Sequence, residues 1–552
     1  MTTAQTQFRA LIAEYYRSWF RFHPEAAVDV GVWGYEHLLT PFLPDDLGPL
    51  VCLNDQLLVS LEEIDRAALS ADDRTDFDLV HGAALLENEY VLDIAPRTPD
   101  PARLLPIQAI YQLSIRSVPD PVAALGARLA AIPVHLQQST AFLRPQCRQV
   151  PSLWAQSALA AAREGGLYLR TLGETLSSDR RPPQLAALIA AADQTMTRFA
   201  KFLETEVLPV AAGDVACGPT RFERLLRHRH FVDIAPETLR ALGESLCDAV
   251  QNELDAACRA LTGRADLAAA LAVIRRRCPA PDRLLDVYRR EMEAAREFVR
   301  ARDLVGMPPR QELEVVETPA FLRNQIPFAA YMEPAAHDPA QRGHYYVTPP
   351  ADAAQLAEHD IAGIRHTCVH EAWPGHHLQF VRAHMHEASR SLPRLLNPSA
   401  TLFEGWALYC EQLMLEQGFL AGPEHEVILL RDRLWRALRV VIDVELHMGL
   451  RSVDAAVDLL VSRLGFTRAH ALAELTWYSR SPTVPMSYAV GWALINTLRT
   501  QEVDTGEATS LRAFHDRLLS MGSVGLPRVI AQVFGEGRWR SVRDKLVAGL
   551  PR

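Results

Sequence analysis

The sequence predicts a mainly α-helical protein, large for a single chain, with one small β-sheet or hairpin element. Three observations carry that reading. Apolar residues recur at three- and four-residue spacing, as in Leu185, Leu188, Ile189, Ala192, Met196, Phe199 and Leu203, within segments rich in Ala, Leu, Arg and Glu. Proline and glycine stop the pattern at Pro151, Pro182-Pro183, Gly218-Pro219 and Pro279-Ala280-Pro281, the punctuation expected of helical hairpins. Between Gly306 and Ala354 the character changes to short β-prone runs, Leu313 to Pro319, Phe328 to Met332 and His344 to Thr348.

Helical periodicity returns at Gln355 and continues to about Leu550. The chain is therefore expected to comprise a helical amino-terminal half, residues 1–305, covering the site. A catalytic half, residues 306–552, would hold the β element and the metal-binding helices, unless the two form one integrated domain. With 552 residues, 49% of them hydrophobic and 22% charged, the chain has ample material for a buried core.

A net charge of -10, with Lys and Arg scattered rather than striped, argues against a nucleic-acid partner. Met1 to Arg9 shows no cationic start followed by an apolar run, and no apolar stretch reaches the roughly 18 residues that a membrane span needs. The expectation is a cytoplasmic protein with no membrane partner. The eight cysteines include no pair at C-x-x-C spacing, which suggests neither a disulfide framework nor a thiolate zinc cluster, and most are expected to be buried.

The chemistry concentrates in His370-Glu371-Ala372-Trp373-Pro374-Gly375-His376-His377. A histidine followed by a glutamate opens the H-E-x-x-H zinc signature, in which the second histidine sits four residues on and shares a helix face with the first. Here position 374 is proline. On a straight helix at about 100° and 1.5 Å per residue, His377 would face as His370 does but about 10 Å further along, and His376 would point elsewhere. Neither suits two ligand bonds of about 2.1 Å. Pro374 cannot donate to the His370 carbonyl, so a break at Pro374-Gly375 is expected to swing His376 or His377 back toward the metal.

Glu404, in Phe403-Glu404-Gly405-Trp406-Ala407, is the best third ligand, far enough downstream for a second helix to return beside the first. Glu411, seven residues later on the same face, is placed to brace a ligating histidine. Glu371 is then free to serve as general base, as in hydrolases with two histidines and one glutamate on zinc.

At these residues the chain resembles the domain-of-unknown-function 885 family of bacterial proteins, which carry a His-Glu-x-x-Pro-Gly-His segment followed by Glu-Gly-Trp-Ala, here His370 to His376 and Glu404 to Ala407. His23 to Ala27 with Gly31 and Tyr35, and later Arg436, Arg439, Asp443 and His447, extend the resemblance over nearly the whole chain. The resemblance implies a mostly helical, zinc-metallopeptidase-like protein. It also implies His376, rather than His377, as the second metal ligand.

Around this core, Tyr345, Tyr346 and Tyr488 are candidates to polarise a carbonyl or hold an oxyanion, with Tyr346 and Tyr488 taken as catalytic. Tyr488 also resembles a family pattern. The run containing Tyr346 could be an edge strand that pairs with an extended peptide. Arg436 and Arg439 suit either a substrate carboxylate or a plain structural salt-bridge network, and Asp443 and His447, four apart, a supporting shell or a substrate terminus. His228 and His230 read as exposed or pairing residues. No Gly-x-Ser-x-Gly elbow and no phosphate-binding glycine loop is present.

The expected function is hydrolysis of a small peptide or related amide by a metal-activated water, with one zinc per chain on His370, His376 and Glu404. Two alternatives compete with it: a non-hydrolytic biosynthetic metalloenzyme using iron or another metal on the same ligand set, and a helical binding protein whose metal motif is structural.

Overall fold

A computed structural model describes residues 2–175, 183–323, 326, 328–504, 509–548 and 550. Pro182, in one of the expected breaks, lies outside them. Helices dominate, and the β-prone runs form a single three-stranded sheet.

The described residues gather into two compact units. The first holds Met1–Val215 with the short segments Pro319–Asn324 and Ala335–His337. It is built of packed helices, including Thr3–Trp19, Pro44–Glu62, Ala71–Glu89, Pro121–Leu143, Ser152–Thr175 and Pro183–Phe202. Leu185, Ile189, Ala192, Met196, Phe199 and Leu203 are buried, as their periodicity predicts.

The second unit holds Ala216–Thr318, Gln325–Pro334 and Asp338–Arg552. Residues 216–305 thus belong with the metal motif and not with the chain before them. Helix α1 (Pro236–Thr262) accounts for this, because it packs along α6 (Pro423–His447), most of whose residues are buried. Between these two in sequence come α2 (Leu284–Ala301), α3 (Ile361–Glu371), α4 (His376–Ala383) and α5 (Ala400–Glu416). After α6 come α7 (Arg468–Arg480) and α8 (Val484–Arg499).

Strands β1 (Glu312–Glu317), β2 (Ala329–Met332) and β3 (Arg342–Val347) lie in the order β1-β3-β2. β3 pairs parallel with β1, Val316 opposite Tyr346, and antiparallel with β2, Tyr331 opposite Tyr345. The strand that carries Tyr346 is therefore the central one. Its backbone is bonded on both sides and offers no edge to an incoming peptide, which corrects the edge-strand expectation; the edges are β1 and β2.

No helix among the described residues is long and apolar enough to cross a membrane. Five of the eight cysteines are buried and none is bridged.

Candidate metal centre

Asp360 opens α3 by accepting from the Gly363 amide at 2.8 Å. The helix stops at Glu371, the chain turns through residues 372–375 with a cis Trp373–Pro374 peptide, and α4 begins at His376. Gly375 lies hard against the end of α3. Its amide donates to the Val369 carbonyl at 3.1 Å, and a Cβ at this position would stand 1.8 Å from the His370 carbonyl oxygen, so no larger residue fits. The expected break is present, and it brings the His370 and His376 rings to 4.9 Å between centroids, almost perpendicular.

Glu404 comes from α5, whose Trp406 donates its indole N–H to the Pro374 carbonyl at 2.8 Å. The Glu-Gly-Trp helix is thereby fastened to the break itself. Oε2 of Glu404 lies 3.2 Å from His376 Nε2 and 3.5 Å from His370 Nε2. One ligand atom from each of the three residues lies within 4.8 Å of the others, so they can hold a metal ion. A tetrahedral ion with bonds of about 2.0–2.1 Å spans ligand-to-ligand edges of about 3.3–3.4 Å, which the two measured separations bracket. Glu404 Oε2 is buried without a hydrogen-bond partner, as suits an atom aimed at a shared centre.

The outer support is also in place. Glu411 Oε1 meets His370 Nδ1 at 2.7 Å, which leaves Nε2 of His370 facing Glu404. Burial opposes charge on Glu404, yet His376 and His370 outweigh it and hold the carboxyl well below the usual range. Burial likewise opposes the cationic form of His370, and Glu404 and Glu411 reverse this, raising it to about 10. Glu371, beside His370 at the end of α3, has its carboxyl raised by burial against the pull of His376 and His370.

Tyr488 stacks on His370, with centroids 6.3 Å apart and planes 13° from parallel. Burial and the neighbouring Glu404 carboxylate raise its hydroxyl well above the ordinary phenol value, so it stays a proton donor. Its position follows from a backbone-to-backbone crossing of α5 and α8. A Cβ on Gly405 would lie 2.6 Å from Gly491 Cα, and one on Gly491 would lie 2.1 Å from the Thr401 carbonyl. Asp443 in α6 fixes the start of α8 by accepting from the Thr483 and Met486 amides at 3.3 and 3.1 Å.

The other candidates separate into two groups. Arg436 and Arg439 are buried on the face of α6 near Tyr488, with the Arg439 guanidinium carbon 4.5 Å from the Tyr488 ring centroid. His447 is fully buried, its Nε2 on the Tyr478 carbonyl at 3.1 Å and its Nδ1 on the Cys217 amide at 3.4 Å, so it ties α6 to α7 and to the segment before Pro219 rather than meeting substrate. Tyr346 stacks on His344 of its own strand, 6.2 Å away. His377 is engaged at both ring nitrogens, by the Tyr331 hydroxyl at 3.0 Å and Gln311 Oε1 at 2.9 Å, and burial pushes it down to about 3. His230 is buried between Ser399 and Thr483, a pairing residue as expected.

Two neighbours escaped the sequence reading. Tyr331 of β2 stacks on His376 at 6.4 Å and 11°. No spacing rule reaches it, because it arrives through strand pairing. His366, one turn before His370 on α3, is buried with Nδ1 3.9 Å from Glu411 Oε2, and neither ring nitrogen has a hydrogen-bond partner. Its i−4 relation to His370 was the available signal.

The chain shares its fold with two solved proteins. One is a candidate lipoprotein from Colwellia psychrerythraea, at 17% identity and a TM-score of 0.82, covering 99% of this chain and 100% of that one. The other is a candidate lipoprotein of unknown function from Shewanella oneidensis, at 18% identity and 0.77, covering 95% and 98%. An M32 carboxypeptidase from Deinococcus radiodurans R1 aligns over 98% and 99% at 13% identity, but its TM-score of 0.39 is too low to bear on fold or function. Comparison with curated proteins by sequence gives no match. Residues 24–533 match the family described as bacterial protein of unknown function (DUF885), an interval that contains both metal-site motifs, and the chain belongs to that family.

Proposed function

We propose that this protein is a zinc-dependent hydrolase that cleaves a peptide or related amide bond. The observation that carries the reading is the convergence of His370, His376 and Glu404 at tetrahedral ligand spacing, with Glu371 adjoining them and outside the ligand set. Two nitrogens and one carboxylate oxygen are a catalytic zinc donor set, which leaves a fourth position open. When bound, the ion would lower the pKa of a water molecule and polarise the substrate carbonyl.

The chain's own residues supply the rest. The Glu371 carboxylate, whose burial favours taking up a proton, accepts one from the attacking water and returns it to the leaving nitrogen. The C–N bond breaks, the water oxygen stays on the acyl carbon, and the amine leaves neutral. The Tyr488 hydroxyl donates to the oxygen on which negative charge develops. Glu411 holds His370 in one orientation throughout.

The test pairs metal quantification with a screen of short peptides and acyl amino acids. About one zinc per chain and turnover are expected, with Glu371→Gln retaining the metal and losing turnover by several orders of magnitude. Full activity in Glu371→Gln would overturn the assignment.

A further inference from the structure

Arg436 and Arg439 lie three apart on α6, on one helix face, and both are nine-tenths or more buried. A buried guanidinium ordinarily has its donors filled. Arg439 nearly does: Nε donates to the Tyr478 hydroxyl at 2.8 Å and Nη2 to Glu474 at 2.9 Å, leaving Nη1 without a hydrogen-bond partner. Arg436 is far less satisfied. The acid nearest it, Asp432, is held by Arg431 at 2.6 Å, and Arg436 Nη1 reaches only to 3.6 Å from that carboxylate and 3.5 Å from the Asp432 carbonyl. Its Nε has no hydrogen-bond partner.

Beside these ion pairs the surroundings form an aromatic wall. Trp435 lies under both guanidinium groups, at 4.4 and 4.3 Å, and Trp477 and Tyr488 flank Arg439 at 5.1 and 4.5 Å. Tyr488 is the ring stacked on His370, so Arg439 is one aromatic ring removed from a candidate metal ligand. The charge of Arg436 bears on Glu371, Glu411 and Tyr488, three side chains on three different elements around the same centre. An under-partnered planar fork in that place is shaped for a carboxylate.

We infer that Arg436, with Arg439 behind it, binds a free carboxylate on the leaving-amine side of the scissile amide, so that the substrates are peptides or N-acyl amino acids cleaved at their carboxyl-terminal residue. The inference rests on the hydrolase reading for its chemistry, but its binding half can be measured without turnover. A carboxylate beside Glu371 belongs to the residue whose nitrogen Glu371 protonates. Peptides with blocked carboxyl ends are therefore poor substrates.

The experiment uses the full-length, zinc-loaded chain and a matched pair, hippuryl-L-phenylalanine and hippuryl-L-phenylalaninamide. The acid is expected to be turned over with a kcat/KM at least about tenfold above the amide, the scale of a lost charge-assisted contact. Arg436→Gln should raise KM for the acid by a similar factor and bring the acid-to-amide ratio of kcat/KM toward one, and Arg436→Lys should restore part of that ratio. Equal turnover of acid and amide would overturn the subsite and leave the hydrolase reading standing. Calorimetry on Glu371→Gln with N-acetyl-L-phenylalanine and its carboxamide separates the two readings. Binding of the acid alone, weakened by adding Arg436→Gln, supports the subsite even if no peptide is cleaved, in which case the hydrolase reading fails. Equal binding of both, or of neither, overturns the subsite; this comparison needs no Arg436 variant that might misfold.

Discussion

Glu411 grips His370 at Nδ1 across 2.7 Å, from a position two turns beyond Glu404 on the same helix. One helix thus supplies both a candidate ligand and the brace for another. Glu411→Gln is expected to lower metal affinity by about 10- to 100-fold, the usual effect of removing such a partner, with the fold retained. Chelator competition measures it, and an unchanged affinity would remove Glu411 from the site.

Trp406→Phe deletes the donor to the Pro374 carbonyl while keeping an aromatic ring in a fully buried position. Leaving that carbonyl unpaired costs about 1–3 kcal/mol. The loss should appear in denaturant unfolding, together with faster metal release, because the turn that presents His376 loses its tie. Stability and metal release both equal to wild type would contradict this.

Gly491→Ala places a methyl 2.1 Å from the Thr401 carbonyl and must force α5 and α8 apart. Overpacking of this kind costs about 1–3 kcal/mol or more. Turnover should fall at least about tenfold as Tyr488 shifts, and zinc affinity should weaken as well because α5 carries Glu404. Turnover and melting temperature both unchanged would show that the close crossing is not what positions Tyr488.

The metal-free protein should show a pH signature. His370 is raised from 6.5 to about 10, so its stabilising contribution is complete below 6.5 and is lost as pH climbs through 10. Glu404 and Glu411 are lowered from 4.5, so theirs is complete above 4.5 and is lost as pH falls through their depressed values. Together the cluster stabilises the apo fold most between 4.5 and 6.5. The stability difference between wild type and His370→Ala, measured by urea titration, should shrink steadily from pH 6.5 to 10. Zinc uptake at pH 7 should release about one proton from His370, read by calorimetry in buffers of different ionisation enthalpy.

Much of the site was legible because its logic is local. Pro374 lacks the amide that would continue α3, which demands a break, and the break decides where His376 goes. Glu404 and Glu411 share a face by helical period alone. The strand runs were visible from β-prone composition, and the structure places them within a residue or two. What escaped belongs to tertiary pairing. The β1-β3-β2 order puts Tyr346 in the middle of the sheet and delivers Tyr331 to His376, and neither fact follows from any single strand. His447 carries the residue type of a functional histidine but spends both ring nitrogens on backbone groups of distant segments, a use that only the packed fold reveals.

His370 lies in the last turn of α3 and His376 opens α4, so the two candidate ligand rings ride on separate rods joined by a short bend. In the straight H-E-x-x-H helix the span between ligands is set by covalent geometry and the same rod must serve every relative. Here the bite of the site is an adjustable quantity, set by how tightly the core clasps the bend. Substitutions that touch no ligand can therefore retune which ion the pair prefers, giving this architecture a route to new metal chemistry that leaves its two motifs intact.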